Sequence, residues 1–344
     1  MSLQLSCLLA PQRSTQYADL VAQLALPELQ ISPLGELIEG AEMRTLGGLP
    51  FLALTLRAPL TDAHLACLGE LAMTNGYFWV EETVGGQEGP WLRPVEMAPS
   101  PRSLPPTLLH ARRYKGKTNE DLTRFLFNAA RFASAFASAP GPLDVFDPLC
   151  GGGTTLFAAL VAGHNAYGID EARSDIESTA TFLRNFLDEA GIRHQERAET
   201  LRQLGHRWTF QIEGPQGKRT CVLAHGDTAD TADLLPGLRP HLIVGDLPYG
   251  IQHKGAVIDL LAAGVPAWTA KLRPGGSLCL AWDATRLPRE EMLAAACEIA
   301  PALEFLDAPP WDGLGHVVDR VIKRRDVLAA RLSESRTLIN ADSR

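Results

Sequence analysis

Two turns marked by glycine and proline constrain this chain most, because each sits directly behind a short apolar run. Asp147-Pro148-Leu149-Cys150-Gly151-Gly152-Gly153-Thr154-Thr155 follows Leu143–Phe146, and Asp246-Leu247-Pro248-Tyr249-Gly250 follows His241–Gly245. Apolar runs of four or five residues bounded by turn signals suit strands buried on both faces, which occur in parallel sheets covered by helices. Such a sheet needs a crossover between neighbouring strands, usually a helix. The 98 residues between Asp147 and Asp246 leave room for several such units.

The rest of the chain keeps that rhythm. Strands are predicted at Leu143–Phe146, Asn165–Ile169, Cys221–Ala224, His241–Val244, Ser277–Trp282, Pro301–Leu306 and His316–Lys323, with helices at Thr154–Ala162 and Ser174–Ala190. Alternating strand and helix signals of this kind predict an α/β fold, a doubly wound, mostly parallel seven-stranded sheet. Gln203–Lys218 is polar, contains Gly214-Pro215, and is expected to form a hairpin or loop insertion.

Ahead of this lies a segment of different character. Residues 1–98 alternate apolar runs (Leu49–Leu56, Tyr77–Val80) with a helix expected over Asp62–Met73, which predicts a smaller N-terminal α+β domain. Four prolines between Ala98 and Pro106 cannot run through a helix or a central strand, so residues 99–109 are expected to be a linker. The main domain is then expected over 110–330 and a frayed tail over 331–344.

Charge is divided as the domains are. Residues 1–100 carry 4 Lys/Arg against 11 Asp/Glu, whereas 101–140 carry 7 against 2 and 320–344 carry 7 against 3. An acidic first domain and a basic face on the second are thus compatible with the net charge of −8, and solvated arginines account for the same numbers. The six cysteines are scattered, with no C-x-x-C pair, and the nine histidines show no ligand spacing, so neither a disulfide framework nor a metal site is expected. No stretch approaches the roughly 20 apolar residues of a membrane span. Together with the absence of a basic-then-apolar leader, this gives a cytoplasmic expectation.

The first turn invites three comparisons. A dinucleotide-binding turn requires G-x-G-x-x-G, but Leu156 stands three places after Gly153; a P-loop requires a Gly-Lys-Ser/Thr ending, and no Lys is present. The remaining pattern resembles the first motif of class I S-adenosylmethionine-dependent methyltransferases, in the form found in amino-methylating enzymes. The resemblance implies S-adenosyl-L-methionine as cofactor. It places the cofactor's amino acid end on the backbone of Pro148, Cys150, Gly151, Gly153, Thr154 and Thr155, with Asp147 near its ammonium group. The plainer alternative is a glycine turn that serves strand–helix packing alone.

Asp170 ends the next strand 23 residues on, where a carboxylate can accept both hydroxyls of a ribose, as it does in dinucleotide folds. Asp227, after the third strand, corresponds to the acidic residue that meets the adenine amine; a turn-capping role suits it as well.

The second turn carries acceptor chemistry. An exocyclic amine on a base is a poor nucleophile because its lone pair is delocalised into the ring. Hydrogen bonds from its N–H groups to Asp246 and to the Leu247 carbonyl would draw the nitrogen toward sp³ geometry and stabilise the developing positive charge. Pro248 stiffens the loop and Tyr249 offers a face on which a base can stack. The turn resembles the (Asp/Asn/Ser)-Pro-Pro-(Tyr/Phe) motif of adenine-N6, cytosine-N4 and guanine-N2 methyltransferases, with Leu247 in place of the first proline. Cys150 and Cys221 are poor candidates for the nucleophile of a C5 methylation, since one is expected to pack and the other lies within a predicted strand.

A third segment, Tyr114-Lys115-Gly116-Lys117-Thr118-Asn119-Glu120, precedes a predicted helix in which Thr118 reads as the N-cap with Asp121 three residues on. It resembles the Tyr-x-Gly-x-Thr segment of tRNA guanosine-N2 methyltransferases in the putative RNA methylase group, without a recognisable THUMP domain in residues 1–100. That resemblance covers about residues 110–326 and implies that Thr118 and Asn119 help to close the cofactor pocket. Lys271-Leu272-Arg273-Pro274-Gly275-Gly276 matches the Leu-(Lys/Arg)-Pro-Gly-Gly turn common to class I methyltransferases. The implied function is methylation of an exocyclic amino group of a nucleobase in RNA, favoured over DNA, with guanosine N2 of tRNA as the particular substrate. A DNA adenine-N6 or cytosine-N4 methyltransferase and a non-catalytic cofactor-binding partner protein remain the alternatives.

Overall fold

The computed structural model describes residues 3–11, 19–97, 104–114, 117–248, 254–318 and 324–334. The chain divides into two compact units: residues 1–100 with 308–325, and residues 101–307 with 326–344. The segment 308–325 thus groups with the N-terminal residues and not with its neighbours in sequence.

The first unit contains β1 (Leu3–Leu9), α1 (Leu20–Ile31), β2 (Ile38–Leu46), β3 (Leu49–Leu56), α2 (Asp62–Leu68), β4 (Thr74–Val84) and β5 (Gln87–Pro94). The five strands form an antiparallel sheet in the order β2-β3-β1-β4-β5. α2 ends at Leu68, five residues short of the expected Met73. The next residues serve a different purpose: the backbone N–H groups of Ala72 and Met73 donate to the buried carboxylate of Glu28 at 2.8–3.0 Å. A buried carboxylate is costly unless hydrogen-bonded, and here the backbone supplies the donors.

The second unit runs α3 (Thr107–Ala111), α4 (Glu120–Ala133), β6 (Asp144–Asp147), α5 (Thr154–Val161), β7 (Asn165–Asp170), α6 (Arg173–Glu189), β8 (His194–Leu201), β9 (Gly205–Gly214), β10 (Gly217–His225), α7 (Thr231–Leu234), β11 (Leu242–Asp246), α8 (Lys254–Lys271), β12 (Ser277–Asp283), α9 (Arg289–Ile299) and β13 (Leu303–Leu306). The chain then enters residues 308–325, where β14 (His316–Val317) lies, and returns along β15 (Arg324–Leu332). The strand order is β13-β15-β12-β11-β6-β7-β10-β9-β8, with β14 paired to β15. β10, β7, β6, β11 and β12 are mutually parallel, and β13 pairs antiparallel with β15. This is a doubly wound, Rossmann-like α/β sheet whose strand order reverses at β6.

Among the described residues the sheet has ten strands, where seven were expected. Gln203–Lys218 does form the expected hairpin, with β9 turning into β10 at Pro215-Gln216, and β8 extends the sheet beyond β9 as an antiparallel meander. β8 escaped the reading because an edge strand needs little apolar sequence. On β8, Glu196 is instead gripped by both ends of the Arg184 guanidinium at 2.6 Å.

The last long strand is also displaced. It runs over Arg324–Leu332 where His316–Lys323 was expected, and it takes in the first two residues of the supposed tail. Residues 319–323 lie outside the described residues. The charges at its start obscured it: Asp326 is 1% exposed and pairs with Arg289 at 2.9 Å, so a buried ion pair stands where the pattern suggests solvent.

The central strands are buried on both faces, as their apolar runs require. Phe146, Ile169, Val222, Ile243 and Leu280 pack with Leu234, Leu261, Trp268 and Met292 of α7, α8 and α9. α4 lies against α5, β11 and β12, and Ser277 Oγ donates to the Ala130 carbonyl at their contact. This packing sets the start of α4 beside the ends of the central strands. Among the described residues no helix is long and apolar enough to cross a membrane, and no group of three or more His, Cys, Asp or Glu is arranged to hold a metal ion.

Candidate active site

β6 and β11 are neighbours at the point where strand order reverses, so the turns that leave them open side by side. In open α/β sheets this is where ligands bind. Asp147 and Asp246 are the last residues of these two strands.

The loop after β6 is built from its glycines. Gly151 has φ +46 and Gly153, at the start of α5, has φ +82, a region that side chains with a Cβ rarely enter. Gly153 N–H donates to the Cys150 carbonyl at 2.7 Å, and the Gly151 N–H donates to Asp170 Oδ2 at 2.8 Å. A Cβ on Gly151 would meet only that Asp170 oxygen, 4.0 Å away, so the space above this backbone is open toward Asp170. Asp170 also accepts the Ala172 N–H at 2.8 Å, which fixes its carboxylate at the end of β7. A further lone pair on each oxygen suits hydroxyl donors.

Asp147 is 3% exposed and accepts the Leu149 N–H at 3.0 Å as well as a hydrogen bond from the Thr155 side chain. Burial pushes its pKa up to about 7; the two hydrogen bonds oppose the rise, and the negative charges of Asp246 and Asp170 add to it. Burial also raises Asp170, against the pull of its two backbone donors. Carboxylates whose negative form is disfavoured are poised to accept a cation. Asp147 and Asp170 could thus hold a ligand that carries a cationic group and hydroxyl donors at this end of the sheet.

The remaining candidates divide. Pro148 is buried against Gly245 of β11, 3.9 Å from where a Cβ would stand. Cys150 turns inward: a Cβ on Gly168 would lie 2.7 Å from its Sγ, its N–H donates to the Ile169 carbonyl, and burial holds its thiol protonated. Its side chain packs against the sheet and does not face the cleft. Thr154 and Thr155 are buried, the first bonded to Tyr114 and the second to Asp147. Asp227 is exposed and accepts the Ala229 N–H at 2.8 Å, the capping role that the sequence allowed for it. Leu247 is buried and its N–H donates to the Ala281 carbonyl of β12 at 2.9 Å, which anchors the acceptor loop. Pro248 is exposed beside it. Tyr249 and Gly250 lie outside the described residues, as do Lys115 and Gly116.

Residues 112–114 meet the first loop and residues 117–119 the second. Asn119, not Thr118, is the N-cap of α4: its side chain accepts the N–H groups of Asp121 and Leu122 at 2.9 and 3.0 Å. Asn ranks above Thr as an N-cap, and with Asn119 in that position the neighbouring hydroxyl is left for another acceptor. Thr118 Oγ1 then donates to Asp246 Oδ2 at 2.7 Å. Thr118 therefore stands on the acceptor aspartate, and Asn119 spends its side-chain oxygen on the helix.

Tyr114, from the segment expected to close the pocket, and Arg112, which the sequence reading did not single out, cover the loop. The Tyr114 ring covers Gly152, where a Cβ would fall 2.1 Å from Cζ, and its hydroxyl is 2.7 Å from Thr154 Oγ1. Arg112 stacks on that ring at 4.9 Å and donates to the Gly152 carbonyl, the Thr179 hydroxyl and, at 2.8 Å, the Ser178 hydroxyl. The only signal for Arg112 in the sequence was its place two residues before Tyr114. Arg112 and Lys117 were counted toward a basic face, but both are engaged internally; Lys117 Nζ donates to the carbonyls of Leu109 and Arg112 and to Glu120.

Fold and cleft together define a Rossmann-like α/β protein with an acidic, glycine-lined cleft at the switch point of its sheet. No family model matches the sequence, and no curated protein matches it. Among solved structures, TrmN from Thermus thermophilus aligns with a TM-score of 0.42 at 15% identity, over 85% of this chain and 59% of that one. The T. thermophilus 16S rRNA N2 G1207 methyltransferase (RsmC), solved with AdoMet and guanosine, aligns with a TM-score of 0.36 at 15% identity, over 87% and 60%. Magnesium protoporphyrin IX methyltransferase (ChlM) from Synechocystis PCC 6803 with bound SAM gives 0.38 at 12%, over 64% and 87%. The chain spans about 60% of the length of the first of these structures.

Proposed function

We propose that this protein is an S-adenosylmethionine-dependent methyltransferase acting on an exocyclic amino group of a nucleobase in RNA, with guanosine N2 of tRNA as the particular target. The observation that carries the reading is the juxtaposition of Asp246, held by Thr118, with the Asp147–Gly153 loop on the adjacent strand. A cofactor cleft and an amine-orienting carboxylate on neighbouring strand ends are what transfer to a weakly nucleophilic amine requires.

The residues would divide the work as follows. The loop backbone at Gly151 and Gly153 lets a nucleoside ligand approach without Cβ interference. Asp147 meets its ammonium group and Asp170 its ribose hydroxyls. When bound, S-adenosylmethionine supplies a methyl group activated on a sulfonium. Asp246 accepts an N–H of the target amine, localising the nitrogen lone pair and stabilising the charge that develops on it. The Leu247 carbonyl is offered as the second acceptor, and Tyr249 as the stacking face for the base. The surplus proton on the product nitrogen leaves to water, so no dedicated base is required.

The test is transfer of labelled methyl to separate pools of unmodified tRNA, ribosomal RNA and duplex DNA, with the product nucleoside identified by mass. N2-methylguanosine in tRNA is expected. N6-methyladenine or N4-methylcytosine in DNA would keep the amine chemistry and overturn the RNA substrate. Label in none of the pools, with S-adenosylhomocysteine still bound, would overturn the catalytic reading.

A further inference from the structure

Thr118 and Asp246 are 128 residues apart in sequence and 2.7 Å apart in space. We propose that Thr118 is a positioning residue for the acceptor carboxylate: its hydroxyl fixes the rotation of Asp246 so that the carboxylate meets the target amine. The inference rests on the reading of Asp246 given above and adds to it a residue whose apparent place was the cofactor pocket.

The surroundings of Thr118 make it a rigid donor. Its backbone enters α4 through a cap made by Asn119, which leaves its own hydroxyl for another acceptor. Lys117, one residue before, is held by two carbonyls and by Glu120. Further back, Arg112 and Tyr114 are tied to α6, to Gly152 and to Thr154. Thr118 is β-branched, so few χ1 rotamers are open to it. Asp246 ends β11 and is half-buried. A charge-assisted hydrogen bond from a fixed hydroxyl helps to set the rotation of its carboxylate before the acceptor arrives, and misplacement by about 1 Å can cost on the order of a hundredfold in rate. The same segment pins the cofactor loop, so one stretch of chain sets both halves of the site in register.

The experiment compares wild type with Thr118→Val, which keeps the branched shape but lacks the donor, and with Thr118→Ser, which restores it. The readouts are calorimetric affinity for S-adenosylhomocysteine, kcat and KM on the RNA pool that wild type methylates, and crystal structures of both variants. The expected result for Thr118→Val is a fall in kcat of roughly tenfold or more, unchanged affinity for the cofactor product, and an Asp246 carboxylate turned from its present place. Thr118→Ser should recover kcat and the carboxylate position. Weakened S-adenosylhomocysteine binding with kcat preserved would overturn the proposal in favour of a pocket-closing role. An unmoved carboxylate would overturn it as well. If wild type methylates no pool, the functional reading fails, and the carboxylate position in the two crystal structures still decides this inference. Should Thr118→Val fail to fold, Thr118→Ala provides the same comparison.

Discussion

The loop after β6 is held mostly by its own and the adjoining strand–helix unit, with Arg112 and Tyr114 added over Gly152, whereas the loop after β11 has its aspartate bonded by Thr118, 128 residues away in sequence. Within the first, Asp147 is bonded to Leu149 and Thr155, Gly153 to Cys150, and Gly151 to the end of the adjoining strand. In the second, Leu247 is anchored to β12 but Asp246 is met by Thr118 from the start of α4. The cradle draws most of its bonds from neighbouring residues and strands, whereas the bond from Thr118 to Asp246 forms only when the second unit is packed.

Several changes would break or sharpen that contrast. The largest effect is expected from Asp246→Ala, which should lower kcat by roughly a hundredfold or more while S-adenosylhomocysteine binds as in wild type. Retained turnover in a labelled-methyl assay would remove Asp246 from the mechanism. Gly152→Ala should give the opposite split. Its Cβ would fall 2.1 Å from the Tyr114 ring, which must leave Thr154 and Arg112, so cofactor affinity should drop by about tenfold, with a smaller effect on kcat. Adding Tyr114→Ala should relieve the clash and recover part of that loss; no change in calorimetric Kd for Gly152→Ala would show that Tyr114 yields freely.

A pH dependence is expected of the cradle through Asp147. With Asp147 at about 7 in the ligand-free fold, against 3.8 for the ordinary group, the fold holds a proton that the unfolded chain has lost between those values. This contribution to stability is therefore greatest in acid and is lost as pH rises from about 4 to 7. A cationic ligand favours the ionised form, so cofactor affinity should rise roughly tenfold from pH 6 to pH 8 and level off above. Asp147→Asn should flatten the profile; an unchanged slope in that variant would assign the titration to another group. The smallest effect is expected from Asn119→Ala, which should cost about 1 kcal/mol in denaturant unfolding and leave the S-adenosylhomocysteine Kd unchanged. A loss of affinity without loss of stability would return Asn119 to the cofactor.

Much of this site is legible in one dimension because its causes are local. Asp147, the three glycines and Asp170 announce themselves as turns behind apolar runs, and the parallel strands are visible because burial on both faces makes them continuously apolar. Legibility failed where polar residues are paid no attention by that rule: β8 is an edge strand satisfied by an Arg184–Glu196 pair, and β15 begins with charges that are buried by pairing.

The sequence by itself therefore determined the α/β winding and the two loops, since strand periodicity, glycine freedom and turn chemistry act over a few residues. The tertiary structure decided which hydroxyl meets Asp246, that Asn119 and not Thr118 caps α4, and that Arg112 and Tyr114 cover the cofactor loop. Each of those outcomes is a competition among side chains for a partner brought near by packing. Local propensity ranks the competitors; only the three-dimensional placement of the acceptor selects the one that bonds.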